Sequence, residues 1–440
     1  MSDLPPWLAF FTFTSVNVVF VTAGCMLIGI TGGTLGSFAY LRKRSLLGDA
    51  LAHAALPGVC VAFLLTGTKD PLVILLGSVA ACWLGAITID AITAYTRVKE
   101  DSALGMVLSV YFGVGVLLLT YIQQSGNPNQ AGLDAFLFGE AASMVQRDVW
   151  TLAGAGGLAC FCVVLAYKEL KLLAFDPDFA HSLGFNRRLL EVFLSTLIVI
   201  AVAIGLQAVG VVLMAAMLVT PAAAARYWTD RLGVMLLLAA GIGAASGFMG
   251  AYASYLAPRM PTGPWMVLAA SALFFLSMVL SPRAGIVPRL YRHLRQRRRT
   301  AEENVLRTLY LLDERRHRPD GHFSLGEVIE HRPMPLGTLR RVLLRLERNG
   351  RVRASSVGLF TLTESGRARG ERLTRLHRLW ELYLTSKLDI APDHVHDDAE
   401  EIEHILTPEL EERLLAALNH PETDPHARVI PGLRSRSEEP

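Results

Sequence analysis

Lysine is scarce in this chain of 440 residues, and none of its lysines follows a glycine. The six lysines follow Arg42, Thr68, Val98, Tyr167, Leu170 and Ser386. Because a P-loop needs a Gly-Lys pair, the sequence excludes a Walker-type nucleotide site. The five cysteines include no CxxC pair, which favours small buried side chains over a thiolate metal site. Only 18% of residues are charged and 52% are hydrophobic, which is too apolar for an ordinary soluble protein of this size.

Charge is distributed unevenly along the chain. Residues 1–282 carry 14 basic and 14 acidic residues, and residues 283–440 carry 28 and 25. Within this second part, called the tail below, residues 283–378 hold 23 basic and 10 acidic residues, whereas residues 379–440 hold 5 and 15. The sequence therefore predicts a neutral membrane block, then a basic block and an acidic block.

The first part contains apolar stretches of the length that crosses a bilayer, about 20 residues each. They are 16–40, 50–66, 71–95, 102–122, 149–167, 189–206, 208–228, 232–256 and 264–281. The sixth and seventh are separated only near Leu206 and Gln207, so eight or nine spans are expected. With the N-terminus outside, eleven basic residues fall in cytoplasmic loops and three outside, in accord with the positive-inside rule. This orientation leaves the tail in the cytoplasm. No basic segment precedes the first apolar run, so we expect no cleaved signal peptide.

The segment RSLLGDALAHAALPG, at the start of the second span, combines a carboxylate with an imidazole. Asp49 and His53 are four residues apart and share one face of a helix. Pro57 lacks an N–H and so leaves the carbonyl of His53 without its helical partner. Ionisable residues in a span usually mark a transport pathway, and these ligand types suit Mn, Fe or Zn. The alternative is a buried pair that only holds helices together.

Two further features concern the loops and spans that follow. The loop LLAFDPDFAHSLGFNRR predicts a short polar helix between Pro177 and Gly184, and the spacing of Ala180 and Gly184 allows close packing against another protein. Pro221 in VTPAAAAR interrupts the seventh span and releases the carbonyl of Met217. This second feature is either a helix kink or a ligand.

Four segments together resemble the permease subunits of manganese, zinc and iron ABC importers. They are RSLLGDALAHAALPGV, GLDAFLFGE, FDPDFAHSLGF and GVVLMAAMLVTPAAAA. The resemblance covers about residues 10–282 and implies a homodimeric pore in the cell membrane of a prokaryote, with an extracytoplasmic metal-binding protein delivering the ion. It places Asp49 and His53 on the ion pathway. It also implies that a separate ATPase docks on the loop that contains Asp178, Ala180, Leu183, Gly184 and Phe185.

The basic half of the tail has the pattern of a winged helix-turn-helix. Residues 301–318 have helical apolar spacing, and LGEVIEH, RPMP and GTLRRVLLRLERNG read as helix, turn and helix. RVRASSVGLFTLTESG then predicts two short strands. Arg340, Arg341 and Arg345 along the second helix are candidate DNA contacts. The alternatives are a protein dock or attraction of the basic stem to anionic lipid.

The acidic half concentrates metal-ligating side chains. These are His377 and Glu381, four apart on one helix, and His396, Glu400, Glu403 and His404 on one face of the next. Histidine and carboxylate without thiolate favour Mn, Fe or Zn, and a solvated acidic helix is the alternative.

From Thr300 to Pro431 the tail is similar to the diphtheria-toxin-repressor family of metal-dependent regulators, through HRLWELYL, VHDDAEEIEH, LTPELEERL and DPHARVIP. The resemblance implies dimerisation and metal-switched DNA binding. It assigns a primary metal site to His377, Glu400, Glu403 and His404, and a second site to Glu381 and His396. The first helix departs from the pattern, because Asn304 and Arg307 stand where further ligands are expected.

The sequence thus predicts a fusion of an all-α membrane domain with a regulator-like soluble part. The predicted boundaries are 1–282 for the permease, 283–299 for a basic linker, 300–375 for the winged helix-turn-helix, 376–431 for the helical metal-binding and dimerisation domain, and 432–440 for a disordered end. We expect no enzymatic activity and no organic cofactor. The tail is either a DNA-binding repressor, with or without release by proteolysis, or a metal-sensing brake or docking module that stays at the membrane.

Overall fold

The computed structural model describes residues 5, 8, 10–12, 15–68, 70–125, 139, 141–256, 260–316, 321–355, 358–388, 408–419, 421–426 and 428–432. The chain divides into two compact units, Met1–Arg289 and Leu290–Pro440. Each is described by itself below.

Within the described residues, the first unit has nine helices that are long and apolar enough to cross a membrane. They are α1 (Val16–Leu41), α2 (Leu47–Thr66), α3 (Pro71–Tyr95), α4 (Glu100–Gln124), α5 (Gln146–Leu165), α8 (Arg187–Val209), α9 (Val211–Trp228), α10 (Leu232–Leu256) and α11 (Thr262–Leu280). Two short helices, α6 (Tyr167–Phe175) and α7 (Pro177–Ser182), lie between α5 and α8. The predicted polytopic all-α fold is confirmed, with nine spans rather than eight.

The sixth and seventh spans separate at Gly210, a few residues later than the sequence indicates. Gly210 has φ +88° and ψ 163°, a conformation that only glycine adopts readily. The chain therefore changes direction there even though the flanking residues are continuously apolar.

Helix α1 packs backbone to backbone against its neighbours. A Cβ added at Gly29 would lie 2.0 Å from the carbonyl oxygen of Gly243 on α10, and one added at Gly36 would lie 1.8 Å from that of Leu218 on α9. Apolar burial drives helices together only weakly in lipid, so small residues that permit such close contact stabilise the bundle by van der Waals packing. Helix α1 is thus fixed at the centre of the unit.

The second unit begins within α12 (Ile286–Arg316), which continues the basic stem as helix. Most of the segment that the sequence predicts to be a linker, 283–299, is therefore helical. The segment from Arg289 to Arg299 contains neither Gly nor Pro, and more than half of it is Arg, a good helix former.

After α12 come α13 (Leu325–His331), α14 (Leu336–Arg348), the strands β1 (Val352–Ala354) and β2 (Phe360–Leu362), and the helices α15 (Glu364–Leu388) and α16 (Pro408–Ala417). The strands pair antiparallel, with Val352 opposite Leu362. This helix, turn, helix and hairpin order is the one predicted. Buried Leu306, Leu309, Phe323, Leu339 and Leu343 form the shared core.

A capping box starts α13. The Ser324 hydroxyl accepts a hydrogen bond from the Glu327 N–H at 3.3 Å, and the Glu327 carboxylate accepts one from the Ser324 N–H at 2.9 Å. This backbone hydrogen bond, followed by the contact with Arg316, holds the pKa of Glu327 below its usual value. The start of the helix is therefore fixed by local sequence.

Candidate metal centres, docking segment and arginine helix

Asp49 and His53 lie side by side on α2. Asp49 is in the first turn of the helix, and its Oδ1 is 3.5 Å from Nε2 of His53. The side chains of Asp49 and His53 are 32% and 13% exposed, so both are partly buried. The other ring nitrogen, Nδ1 of His53, is buried and has no hydrogen-bond partner among the residues that the structure describes. A buried nitrogen without a partner costs free energy, and a bound cation or its hydration water would relieve that cost.

Packing fixes the position of this pair. The ring of His53 meets Phe112 of α4 edge-on, with ring centroids 4.8 Å apart. Gly48, beside Asp49, faces Leu218 of α9, where an added Cβ would lie 2.6 Å from a side-chain carbon. Among the described residues no group of three or more His, Cys, Asp and Glu side chains could hold a metal ion. The described residues therefore bring two candidate side-chain ligands together here.

Pro221 lies inside α9 as the sequence predicts, and the surroundings of Met217 favour the packing interpretation. Met217 is wholly buried, and its carbonyl oxygen faces α1, where an added Cβ at Gly32 would be 3.2 Å away. The released carbonyl of Met217 thus packs against α1, which argues against a ligand role.

The 175–185 segment forms the predicted short helix, α7. Asp176 caps it by accepting a hydrogen bond from the Phe179 N–H at 2.9 Å. The helix ends where Phe185 N–H donates to the Ala180 carbonyl at 3.1 Å, with Gly184 in a left-handed conformation at φ +88°. Phe179, Leu183 and Phe185 are exposed, and Asp178 is almost fully exposed. A short helix and the turn that follows it, with three exposed apolar side chains between them, have the character of a protein-binding surface.

One expectation for this segment is wrong. Ala180 was expected to allow close packing against another protein, but it is wholly buried within its own unit. Its small side chain lets α7 pack closely against its own unit. Contacts with a partner protein would therefore be made by the exposed Phe179, Leu183 and Phe185. Gly184 serves the turn, since a Cβ there would meet nothing within 4 Å.

The second candidate centre lies in the tail. Nε2 of His377 is 3.0 Å from Oε1 of Glu381 on α15, and each side chain is 4% exposed. Both line a cavity of about 420 Å³ together with Asn304 and Arg307 of α12. Asp424 and His426 line the same cavity. His396, Glu400, Glu403 and His404, and all but one residue of GLDAFLFGE, lie outside the described residues.

Asn304 and Arg307 are buried at 6% and 7% exposure, so their side chains face the interior of the tail. A guanidinium that lines the same cavity as His377 and Glu381 places a fixed positive charge near these candidate ligands. Two like charges at short range repel each other strongly in a buried site. The residues present therefore suit a divalent cation poorly on the α12 side of the cavity.

The arginines of α14 do not all face solvent. Leu339, Val342, Leu343 and Leu346 are buried, whereas Arg340 and Arg341 are exposed. Arg345 is different from them, because its guanidinium lies 3.6 Å from Glu302 of α12 and is only 33% exposed. Arg345 therefore helps to hold α14 against α12, and the free cationic surface consists of Arg340, Arg341 and the exposed Arg348.

Sequence reasoning missed the charged contacts at one end of the membrane unit. Arg42 donates to Glu191 at 2.7 Å although the two are 149 positions apart in sequence. Arg44 contacts Glu100 at 2.6 Å. The cluster of Arg42, Lys43 and Arg44 predicts only the orientation of the chain in the membrane, and no local spacing pattern connects it to Glu191.

Comparison with known proteins assigns both parts of the chain. Residues 15–281 match the model of the ABC 3 transport family, and residues 363–432 match the iron dependent repressor, metal binding and dimerisation domain. A manganese transport system membrane protein MntC of Bacillus subtilis is 44% identical over 375 residues, which are 85% of this chain and 86% of that protein. A zinc transport system membrane protein TroC of Treponema pallidum is 43% identical over 286 residues, covering 65% of this chain and 95% of that protein.

Among solved structures, PsaBC from Streptococcus pneumoniae in complex with Fab is similar, with a TM-score of 0.57 and 27% identity. The match covers 63% of this chain and 97% of that one. The family match spans more than half of the chain, and it includes the span with Asp49 and His53, the 175–185 segment and the Pro221 helix. The chain therefore belongs to the ABC 3 transport family and carries a metal-dependent-repressor-like domain at its C-terminal end.

Proposed function

We propose that the chain is the membrane subunit of an ATP-driven importer of a divalent transition metal, Mn, Fe or Zn. The observation that carries the proposal is the Asp49 and His53 pair with the unpaired Nδ1 of His53. Relatives named as manganese and zinc transport proteins support the class of cargo. The chain itself performs no chemistry, and ATP hydrolysis belongs to a separate subunit.

A homodimer completes the ligand set. One chain offers one carboxylate and one imidazole, and two copies around a shared axis offer four nitrogen and oxygen ligands. Such a set suits Mn, Fe or Zn and releases the ion more readily than a thiolate site would. In this proposal an extracytoplasmic metal-binding protein delivers the ion to one side of the cell membrane, and the tail lies on the cytoplasmic side.

The 175–185 segment is the docking site for the ATPase. Phe179, Leu183 and Phe185 supply apolar contacts, and Asp178 supplies a charge at the rim. This anatomy, an apolar centre with a polar edge, is that of a protein interface.

Uptake of radioactive Mn, Fe and Zn tests the transport proposal. Asp49→Ala should reduce uptake at least about tenfold, because a sparse site loses much of its affinity with one ligand. Asp101→Asn is the matched control, since Asp101 is an exposed carboxylate in the first turn of α4. Wild-type uptake by Asp49→Ala of all three metals would contradict the assigned pathway.

For the tail we propose a regulator-like domain of the winged helix-turn-helix type that binds duplex DNA through Arg340 and Arg341. Their exposure on α14 and the net positive charge of residues 283–378 support this. His377 and Glu381, with His396, Glu400, Glu403 and His404, are its proposed metal ligands. The second candidate is a tail that binds no DNA and acts at the membrane as a metal-sensing brake or a docking module. The buried Arg307 in the cavity favours the docking module, because it weakens the case for a metal signal.

Binding of the full-length protein to duplex DNA from its own upstream region distinguishes the two candidates. A DNA-binding tail should bind with an affinity that falls steeply as salt increases, because phosphate contacts release condensed counterions. Absence of any shifted complex at low salt would favour the brake or dock. Detection in cells of a free fragment that contains only the tail would show that proteolysis releases it. Detection of the full-length protein alone would show that the tail stays attached.

A further inference from the structure

A chain of ion pairs joins the 175–185 segment to the start of the proposed metal pathway. Nη1 of Arg187 lies 3.5 Å from Oδ1 of Asp178 on α7. The Nε of the same arginine donates to Oε1 of Glu191 at 3.2 Å, one turn further along α8. The same Oε1 accepts a hydrogen bond from Nη2 of Arg42 at 2.7 Å. Through Arg42 and Arg187, this one carboxylate oxygen connects the end of α1 and helix α8 with the 175–185 segment.

Arg42 stands at the connection between α1 and α2. It caps the C-terminal end of α1, and only four residues separate it from the start of α2, whose first turn carries Asp49. This connection is tight, since Lys43 adopts a left-handed φ of 60° and the Arg44 N–H donates to the Ala39 carbonyl at 2.9 Å. A non-glycine residue held at positive φ has few alternative conformations. A displacement of Arg42 is therefore passed to the turn that holds Asp49.

The contact is partly protected from water. The Arg42 side chain is 11% exposed and that of Glu191 is 25% exposed. Burial, and then the neighbouring Arg44, hold the pKa of Arg42 below its usual value, although the Glu191 carboxylate acts in the opposite direction. Removing the carboxylate would leave a largely buried guanidinium beside a second cation, so the two helices would lose their attraction at this point.

We propose that Glu191 is a positioning residue that transmits movement of the 175–185 segment to the start of α2, and so couples ATP hydrolysis to movement of the metal ion. The inference rests on the proposed function, because it needs an ATPase on that segment and a metal ion at Asp49. Glu191 itself contacts neither of them. Its effect comes through Arg42 on one side and Arg187 on the other.

The test uses the complete complex, with its ATPase subunit, reconstituted in vesicles. Metal uptake and ATP hydrolysis are measured in the same preparation with Mn, Fe or Zn alone as the cargo. Glu191→Gln keeps the shape of the side chain and removes its charge. The amount of metal moved per ATP hydrolysed should fall about fivefold or more, which is the usual range of a coupling between sites. ATP hydrolysis and co-purification of the ATPase should be retained.

Arg42→Gln breaks the same contact from the other side and should reduce the ratio to a similar extent. The double variant should be no worse than either single variant, since residues that act through one contact are not additive. Glu100→Gln is the matched control, because it removes a neighbouring ion pair, to Arg44 at 2.6 Å, that includes no member of the Arg42, Glu191, Arg187 and Asp178 chain. It should leave the ratio unchanged.

The outcomes separate this inference from the proposed function. If the wild-type complex moves none of the three metals, the proposed function fails. If the wild type transports and Glu191→Gln has the same ratio of metal to ATP, the coupling role is wrong. Loss of ATPase co-purification in Glu191→Gln, or additive effects in the double variant, would show a structural role instead and also overturn the inference.

Discussion

Each unit contains one candidate metal pair, a histidine and a carboxylate four residues apart on a helix. In α2, Asp49 and His53 are 3.5 Å apart, partly exposed, and the pair leaves one ring nitrogen of His53 without a partner. In α15, His377 and Glu381 are 3.0 Å apart and almost fully buried, and a buried arginine lines the same cavity. Identical spacing thus gives two chemically different sites, and the surroundings decide which of them suits a mobile cation.

Exchange of the histidines tests the difference most directly. His53→Ala should reduce metal uptake at least about tenfold, because it removes one of the two ligands proposed for the transported ion. His377→Ala should leave uptake near the wild-type level, since it changes only the tail. Equal loss of uptake in both variants, with normal amounts of protein in the membrane, would show that the tail controls transport. The proposed functional difference between the two pairs would then be wrong.

Conversion of the α12 side of the tail cavity should make the two sites more alike. Asn304→Asp with Arg307→Glu replaces a neutral amide and a cation by two carboxylates, so binding of Mn should tighten by about 10- to 100-fold. DNA affinity should also become dependent on Mn, because an ion with ligands on both sides can favour one arrangement of the tail over another.

Calorimetry and DNA titrations with and without Mn measure both effects. The single variant Asn304→Asp serves as the control that keeps Arg307, and it should change Mn affinity much less. A large Mn enhancement of DNA binding by the unmodified protein would contradict the objection based on Arg307.

The smallest expected effect separates two arginines of one helix. Arg340→Ala should weaken DNA binding and lower the slope of log affinity against log salt by about 0.9, the value for one phosphate contact. Arg345→Ala should change the slope little, since Arg345 contacts Glu302. Titrations at several salt concentrations decide the matter, and equal slopes for the two variants would mean that Arg345 also reaches the phosphates.

Features determined by local sequence were predictable, and those determined by packing were not. Eight or nine spans follow from hydropathy, and the Asp49 and His53 pair follows from helical spacing. The turn at Gly210 was placed only approximately, because apolar residues continue on both sides of it. The contact of Arg345 with Glu302 was not predicted, although the buried positions of α14, such as Val342 and Leu346, already place Arg345 beside the packed face.

Long-range contacts gave no signal in a single sequence. The contact of Arg42 with Glu191 spans 149 positions, and the burial of Ala180 depends on how α7 folds back on its own unit. Neither depends on a periodic pattern. The basic cluster that contains Arg42 was visible in the sequence, but its partner Glu191 was not.

The close contact of α1 with α9 and α10 also has a genetic consequence. Every single-base change in a glycine codon that yields another amino acid adds at least a Cβ. At Gly29 and Gly36 that atom would lie 2.0 and 1.8 Å from a backbone oxygen of the neighbouring helix, and no flexible side chain is available to move aside. Overpacking of this kind forces backbone shifts. These codons should therefore tolerate only synonymous changes in a saturation mutagenesis selected for metal uptake, whereas the codon of Gly113, where an added Cβ meets nothing within 4 Å, should accept replacements freely.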